Sequence, residues 1–415
     1  MPVLSPLLSI APTPTAPPST QIMPLRRTPR EIVINGRFLT QPVTGVQRVA
    51  REVVRAMDHL IAEDQVPLRL RLVCEAGADV SELDLRSTMV ERTGTGPRGH
   101  LWEQVILPGR VRGGHLLCLG NTAPIRSLLA SHPTTVMIHD LSYRQFPEAY
   151  RYRYRLGHGL MLPFLLRRAS ALLTVSETER AVLGKLHPPA LPRIRVAQNG
   201  GWRDGSVQPR SDSSDAGYVL YVGSLSSRKN IDGVLAVAIR LAREDGVSTL
   251  LVGASSDILT PIAANVPDDI RDKVRLVGPV TDLAALAQLY REAACLLFPS
   301  FYEASSLPPV EAMNFGCPVV VSAIPSMTER CGTAALYCDP HSIDDMVQAV
   351  RQCIRHDTGI AEQISRAYDR ATRWSWRSQA EAVLEALLIA EAKADHSGRR
   401  VNSGETKLSA LATAP

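Results

Sequence analysis

The sequence predicts an α/β protein built from two doubly wound domains, each a mostly parallel sheet with helices on both faces. Three observations predict it. The chain has 415 residues, more than the ~250–300 that a single core usually organises. Short apolar runs alternate with segments of helical period along almost the whole length, the pattern of buried parallel strands joined by crossover helices. A stretch without apolar periodicity, DGSVQPRSDSSDAG at 204–217, separates two such alternations and reads as an interdomain linker. The expected layout is a Pro-rich disordered start over 1–29, a first domain over 30–203, the linker over 204–217 and a second domain over 218–375. A C-terminal helix over 376–395 and a flexible tail over 396–415 complete it.

The first domain opens with the strand-like run EIVING from Glu31. A loop containing Pro42 and Thr44 leads to Gly45, and apolar residues at Val46, Val49, Val53, Met57 and Leu60 give the following segment a helical period. In a doubly wound domain ligands approach the strand ends, and a glycine just before the first helix lets one close on the backbone. A plain turn glycine fits Gly45 equally well. Further strands are expected at Leu68 to Val73, Leu116 to Leu119, Val136 to Ile138, Ala171 to Val175 and Ile194 to Val196, with helices near 101–110, 145–168 and 177–187. The run VMI ends in His139-Asp140, placing a histidine at a carboxyl sheet edge, where it can supply a hydrogen bond or a charge.

The second domain opens with YVLYVGSLSSRKN from Tyr218. A strand, Gly223, a serine-rich turn and the cations Arg228 and Lys229 before a helix start suit a phosphate group, although neither a Walker loop nor G-x-G-x-x-G is present. Strands follow at 249–252 and 274–277, and helices at 257–265 and 282–293. The richest stretch is CLLFPSFYEASSLPPVEAMNFGCPVVVS, Cys295 to Ser322. Cys295 to Phe298 reads as a strand buried on both faces, Glu303 lies in the loop after it, and Ser305 and Ser306 are cap-type residues before Pro308 and Pro309. The short helix carries Glu311 on its early face, and Val319 to Val321 is the next strand. Free amides and the positive dipole end at this helix start form an anion site. Carboxylates beside such a site make sense if they face sugar hydroxyls. A capped helix beside an acidic loop, with no ligand, is the plainer reading. A strand over Ala335 to Tyr337, a helix over Ile343 to Ile354 and a long amphipathic helix from Trp376 close the chain.

Composition narrows the class. Hydrophobic content of 45 % and charged content of 21 % are ordinary for a globular protein, and the net charge is +5. Only five of the 46 basic residues are lysines, which makes Lys229 conspicuous. Seven cysteines without a C-x-x-C suggest neither a disulfide framework nor a zinc site, so a reducing cytoplasm fits. No apolar run nears the ~20 residues of a membrane span. Within 144–168, arginine alternates with tyrosine and then gives way to leucine and phenylalanine. This suits the cytoplasmic face of an inner membrane, and equally an amphipathic helix with a solvated basic face. The modest charge and lack of a binding motif argue against nucleic acid.

Taken together, the chain resembles the retaining GT-B glycosyltransferases of family 4, the group that includes bacterial polysaccharide mannosyltransferases. The resemblance covers roughly 31–390. It rests on Glu303-ASSLPPV-Glu311 followed by AMNFGCPVVVS, on SSRKN, on the G-V-Q opening of the first helix, on His139-Asp140, on Gln198-Asn199-Gly200 and on Trp374-Ser375-Trp376. It implies two Rossmann-like domains facing across a cleft, with a nucleotide-sugar as substrate and no cofactor. Carried onto this chain, Arg228 and Lys229 neutralise the donor diphosphate, with amides near Ser306 and Leu307 on the same group. Glu311 takes the ribose hydroxyls, Glu303 the donor sugar, His139 lies near the transferred sugar and Gly45 lets the first loop approach the phosphates. Metal ligands are not implied, and the sequence has no D-x-D. Two departures stand out: Ala304 and Ser306 replace glycines usual around the first glutamate, and Ser224 stands where an arginine is frequent.

The expected activity is therefore hexosyl transfer with retention, from GDP-mannose or a UDP-hexose to a lipid-linked saccharide, in exopolysaccharide, capsule or lipopolysaccharide assembly. The departing phosphate assists deprotonation of the acceptor hydroxyl, so Glu303 and Glu311 are not read as a glycosidase pair. The rivals are a GT-B isomerase or phosphorylase, and a non-catalytic sugar-nucleotide binder.

Overall fold

The computed structural model describes residues 30–411 apart from 65, 67, 112, 131, 204–216 and 255–265, with side chains described as far as 393. The expectations for 1–29, for most of the linker and for a helix over 257–265 lie outside these residues.

Seven parallel strands form the first sheet: β1 Arg30–Asn35, β2 Leu68–Cys74, β3 Met89–Arg92, β4 His115–Cys118, β5 Thr134–Ile138, β6 Ala171–Thr174 and β7 Ile194–Val196, in the order β3-β2-β1-β4-β5-β6-β7. The helices among them are α1 Gly45–Asp64, α2 Gly99–Val105, α3 Ile125–Leu129, α4 Ser142–Gln145, α5 Tyr152–Arg168 and α6 Glu177–Leu186. Six parallel strands form the second sheet: β8 Tyr218–Val222, β9 Ser248–Val252, β10 Val274–Gly278, β11 Ala293–Phe298, β12 Val319–Ser322 and β13 Leu336–Cys338, in the order β10-β9-β8-β11-β12-β13. Its helices are α7 Ile231–Glu244, α8 Leu283–Glu292, α9 Pro308–Asn314, α10 Pro325–Cys331, α11 Ile343–Ile354 and α12 Ile360–Thr372, and α13 Trp376–Leu411 follows.

Strand order reverses between β1 and β4 in one sheet and between β8 and β11 in the other. Both reversals open crevices at carboxyl strand ends, where such sheets bind ligands. The central strands β4, β5, β6 and β11 are buried at every position, which explains why they read as continuous apolar runs.

Two short segments carry the chain between domains. Ala197 belongs to the first domain's apolar cluster and Trp202 to the second's, so the first crossing falls at 198–201, ahead of the expected linker. The return lies between Trp374, packed on the second domain's cluster, and Trp376, buried in the first. The two segments are stitched together: Gly201 N–H donates to the Trp374 carbonyl at 2.8 Å, and Gln379 Nε2 donates to the Ala197 carbonyl and to Asn199 Oδ1, each at 3.0 Å. Helix α13 then lies against α1, burying Ala380, Val383, Leu384 and Leu387.

Several boundaries differ from the sequence expectations for identifiable reasons. Edge strand β3 has only four residues, half-exposed, and carries no alternation to read. The helix expected over 145–168 is two helices, because Pro147 cannot continue α4 and a 3-10 turn intervenes. The C-terminal helix does not stop at 395, and the tail expected from 396 is helical to Leu411.

The tightest turn joins the ends of β8 and β9. A Cβ built on Gly253 would lie 1.7 Å from the Gly223 carbonyl oxygen. Gly253→Ala should therefore destabilise the second domain by about 2 kcal/mol or more through backbone displacement, whereas Gly217, with nothing within 4 Å of its added Cβ, should accept alanine almost neutrally. Urea unfolding followed by the second domain's signal tests the contrast.

Candidate active site

The structure brings together loops that follow the carboxyl ends of β1, β5, β8 and β11. After β8, Ser227–Lys229 form a single 3-10 turn, and Asn230, at φ 57°, closes it by accepting the Gly233 N–H at the start of α7. Asparagine tolerates this left-handed backbone better than most residues. The turn aims Arg228 and Lys229 at the loop after β11, and the Phe301 N–H donates to the Arg228 carbonyl at 3.0 Å to hold the loops in register.

Glu303 sits between both cations. Arg228 Nη1 lies 3.3 Å from its Oε1, and Lys229 Nζ makes a short contact with the same oxygen. Lys229 also stands 4.7 Å over the Phe298 ring. Burial would raise the Glu303 carboxyl, but Lys229 and Arg228 outweigh it and hold it below the ordinary range. Burial pushes Lys229 down to about 8, with Glu303 opposing the fall and Arg228 adding to it. Arg228 is lowered by burial but raised more by Glu303 and by Asp140 of the other domain. Asp140 follows β5 and is fixed by accepting from the Ser142 N–H at 3.1 Å and its hydroxyl at 2.7 Å.

His139 is buried. Its Nε2–H donates to the Leu119 carbonyl at 2.8 Å, and its backbone N–H donates to Asn121 Oδ1 at 2.7 Å. Burial lowers its pKa despite the Leu119 bond and Asp140, which leaves it neutral with Nδ1 as the remaining acceptor. The histidine thus anchors the loop that presents Asp140.

Gly45 begins α1 and is exposed, with nothing within 4 Å of an added Cβ. One turn on, Arg48 Nη2 reaches across to Glu311 Oε1 at 2.6 Å, while Tyr290 donates to Glu311 Oε2 at 2.9 Å. Glu311 is 1 % exposed, so its carboxylate is held between two partners within the protein. Ser305 and Ser306 do not cap α9. The cap residue is Leu307, without a side-chain bond, because Pro308 and Pro309 remove two of the donors a cap would serve. The Ser306 hydroxyl is buried beside the Glu303 carboxylate, and its carbonyl accepts from Arg330. Ala304 and Leu307 join the first domain's apolar cluster, which gives the Ala304 methyl a packing role that glycine could not fill.

Arg228, Lys229 and Glu303 therefore form one contact cluster, Glu311 is joined to α1 by Arg48 rather than by Gly45, and His139 holds the loop of Asp140. Sequence reasoning named Asp140 only as the neighbour of His139 and passed over Arg48, Tyr290, Tyr302 and Arg330. Asp140 was legible beside His139; the other four are ordinary residue types whose place becomes clear only in three dimensions. Among the described residues no group of His, Cys, Asp and Glu side chains has the arrangement of metal ligands. All seven cysteines are buried free thiols, and among the described residues no helix is long and apolar enough to cross a membrane.

Residues 216–356 match the family described as Glycosyl transferases group 1. The chain is 30 % identical over 258 residues to the O-antigen chain mannosyltransferase B of Escherichia coli, covering 58 % of this chain and 66 % of that protein. It is 25 % identical over 250 residues to the O-antigen chain mannosyltransferase RfbU of Salmonella typhimurium, covering 60 % and 67 %. The fold superposes on Anabaena HepE in complex with UDP and glucose with a TM-score of 0.66 at 17 % identity, covering 86 % of this chain and 99 % of that one. Two parallel-sheet domains facing across a cleft are the GT-B arrangement. On the residues matched and the architecture they share, residues 216–356 are a glycosyl transferases group 1 domain set in a two-domain GT-B fold.

Proposed function

We propose that the chain is a retaining hexosyltransferase that uses a nucleotide-sugar donor, with GDP-mannose the first candidate, and a lipid-linked saccharide acceptor in bacterial surface-polysaccharide assembly. The observation that carries this is the pair Arg228 and Lys229 at the second sheet's reversal point, facing Asp140 across the cleft. Two cations at a carboxyl strand end suit a diphosphate, and the reaction needs charge stabilisation on the departing group. The mannosyltransferase relatives support the donor sugar, whereas UDP and glucose in HepE support a nucleotide-sugar more generally.

In this reading the diphosphate replaces the Glu303 carboxylate as the partner of Lys229 and Arg228, and Glu303 is released toward the donor sugar. Ser306 and Leu307 contribute amides to the same phosphates, and Gly45 leaves room for them. Glu311 exchanges Arg48 for the ribose hydroxyls. Neutral His139 keeps the Asp140 loop beside the transferred sugar. The donor is a substrate, and the proposal includes no cofactor or metal.

The acceptor side includes a surface. Tyr152, Leu156, Leu160 and Phe164 are 70 %, 47 %, 64 % and 39 % exposed and recur every four residues along α5, so they share one helix face. Arg151, Arg153, Arg155, Arg167 and Arg168 flank them and are exposed. An apolar stripe edged by arginine suits the anionic cytoplasmic face of an inner membrane, where a lipid-linked acceptor would be met.

Thermal-shift screening with GDP-, UDP- and TDP-sugars followed by transfer assays tests the activity. Lys229→Ala should lower turnover by about 10²–10³-fold at saturating donor, and Glu311→Ala should weaken donor binding; full activity in both variants would sink the site assignment. Because phosphate needs the Lys229 cation and its pKa is about 8 without donor, donor affinity should be greatest below pH 8 and fall as pH rises through it. Lys229→Arg should flatten that fall. For the surface, replacing the five arginines by serine should reduce binding to anionic vesicles by at least about tenfold, each cation contributing about 1 kcal/mol at such a surface; sedimentation with equal binding would remove the membrane proposal.

A further inference from the structure

We propose that Glu179 and Tyr302 are positioning residues that fasten the two domains over the donor site, the Tyr302 hydroxyl donating across the cleft to the buried Glu179 carboxyl. The purpose of the fastening rests on the donor-site reading above; the geometry does not.

The segment Ser176-Glu177-Thr178-Glu179 at the start of α6 has the spacing of a capping box. Half of it is present: Ser176 Oγ accepts the Glu179 N–H at 3.1 Å. The other half, a carboxylate reaching back to the Ser176 N–H, is not. Glu179 instead takes the Tyr302 hydroxyl on Oε1, and its Oε2 is buried without a partner. The helix end is served by a different carboxylate from the opposite domain. Glu329 on α10 accepts from the N–H groups of Glu177 at 2.7 Å and Thr178 at 3.0 Å, and from the Thr178 hydroxyl at 2.8 Å.

One helix terminus thus has two candidate carboxylates, and closure decides which one serves it. With the cleft shut, Glu329 occupies the terminus and Glu179 is turned inward. The groups facing Glu179 are Tyr302 from the loop after β11, Asp140 from the loop after β5 and Glu329 from α10. Burial is the largest influence; Asp140 and Glu329 act with it against a charge, Tyr302 acts the other way, and the carboxyl is pushed up to about 7. When the domains part, Tyr302 and Glu329 leave with the second domain. Glu179 then regains water and the positive end of α6, both of which favour the carboxylate. Closing therefore takes one proton from solvent onto Oε2, and opening returns it.

Tyr302 links this fastening to the chemistry. It precedes Glu303, its carbonyl accepts from Arg228 Nη1 at 2.9 Å, and its hydroxyl also accepts the Leu141 N–H at 3.4 Å, next to Asp140. Holding the Tyr302 ring on the first domain fixes Glu303 and Arg228 relative to His139 and Asp140.

A carboxyl whose pKa is raised by closure favours the closed form most at low pH. The advantage shrinks as pH climbs from the ordinary value of 4.5 toward about 7 and is constant above that. The test is small-angle scattering of the full chain, without donor, from pH 5 to 8, together with amide exchange at 177–179. The open-to-closed ratio of the wild type should rise by about tenfold or more over that range. Glu179→Gln, a neutral mimic of the acid, should stay closed with no pH dependence. Tyr302→Phe should be more open at every pH while keeping the wild-type circular dichroism. An unchanged pH response in Glu179→Gln, or wild-type scattering from Tyr302→Phe, would overturn the proposal. Since neither measurement uses a donor, failure to find transfer would count against the functional reading and leave this one standing.

Discussion

Everything about the cleft depends on a single buried guanidinium. Arg330, 1 % exposed, donates from Nη1 to the Asn199 carbonyl at 2.6 Å, from Nη2 to the Gly200 carbonyl at 2.8 Å and from Nε to the Ser306 carbonyl at 3.3 Å. It also lies 5.1 Å from the Trp374 ring. One planar fork therefore ties the outgoing crossing, the returning crossing and the loop before α9 into one piece. Burial pushes its pKa down to about 10, yet it remains charged at neutral pH. Leaving those carbonyls unpaired would cost on the order of 1–3 kcal/mol each. Glu329, its chain neighbour, reaches α6 in the first domain, so one helical turn of α10 serves both the fixed and the separable parts of the interface.

The charges in the cleft are arranged before any ligand arrives. Glu303 holds Arg228 and Lys229 in place, and Glu311 does the same for Arg48. Buried ion pairs are seldom worth their desolvation as stability devices. Here they keep cations oriented and dry, which is the condition under which they stabilise a developing negative charge strongly. In the function proposed above, these carboxylates are the placeholders that the donor displaces.

Much of this was legible in the sequence, and the illegible parts have a common cause. Strands β4, β5 and β11 are buried on both faces, so apolar runs reported them directly, and α11 matched its expected bounds because Ser342 caps it. Helix α12 carried a readable period through Ile360, Ile364, Ala367 and Ala371 that was passed over in a charged segment. The cations and glutamates of the site were legible as turn residues at strand ends. Their partners were not: Arg48 meets Glu311 and Tyr302 meets Glu179 over separations of more than a hundred residues, and no local pattern encodes a contact between domains. Even the serines before α9 misled, because two prolines had already removed the need for a cap.

The return of α13 to the first domain has a consequence for how the molecule is made. Ala380, Val383, Leu384 and Leu387 complete the apolar layer against α1, so the domain that comes earlier in the chain is finished by residues that follow the later one. Until they emerge from the ribosome, the α1 face of the first domain stays uncovered, while the second domain, continuous in sequence, can already pack. A nascent chain stalled before Trp376 would hold the residues of a complete second domain beside a first domain whose α1 face lacks its cover.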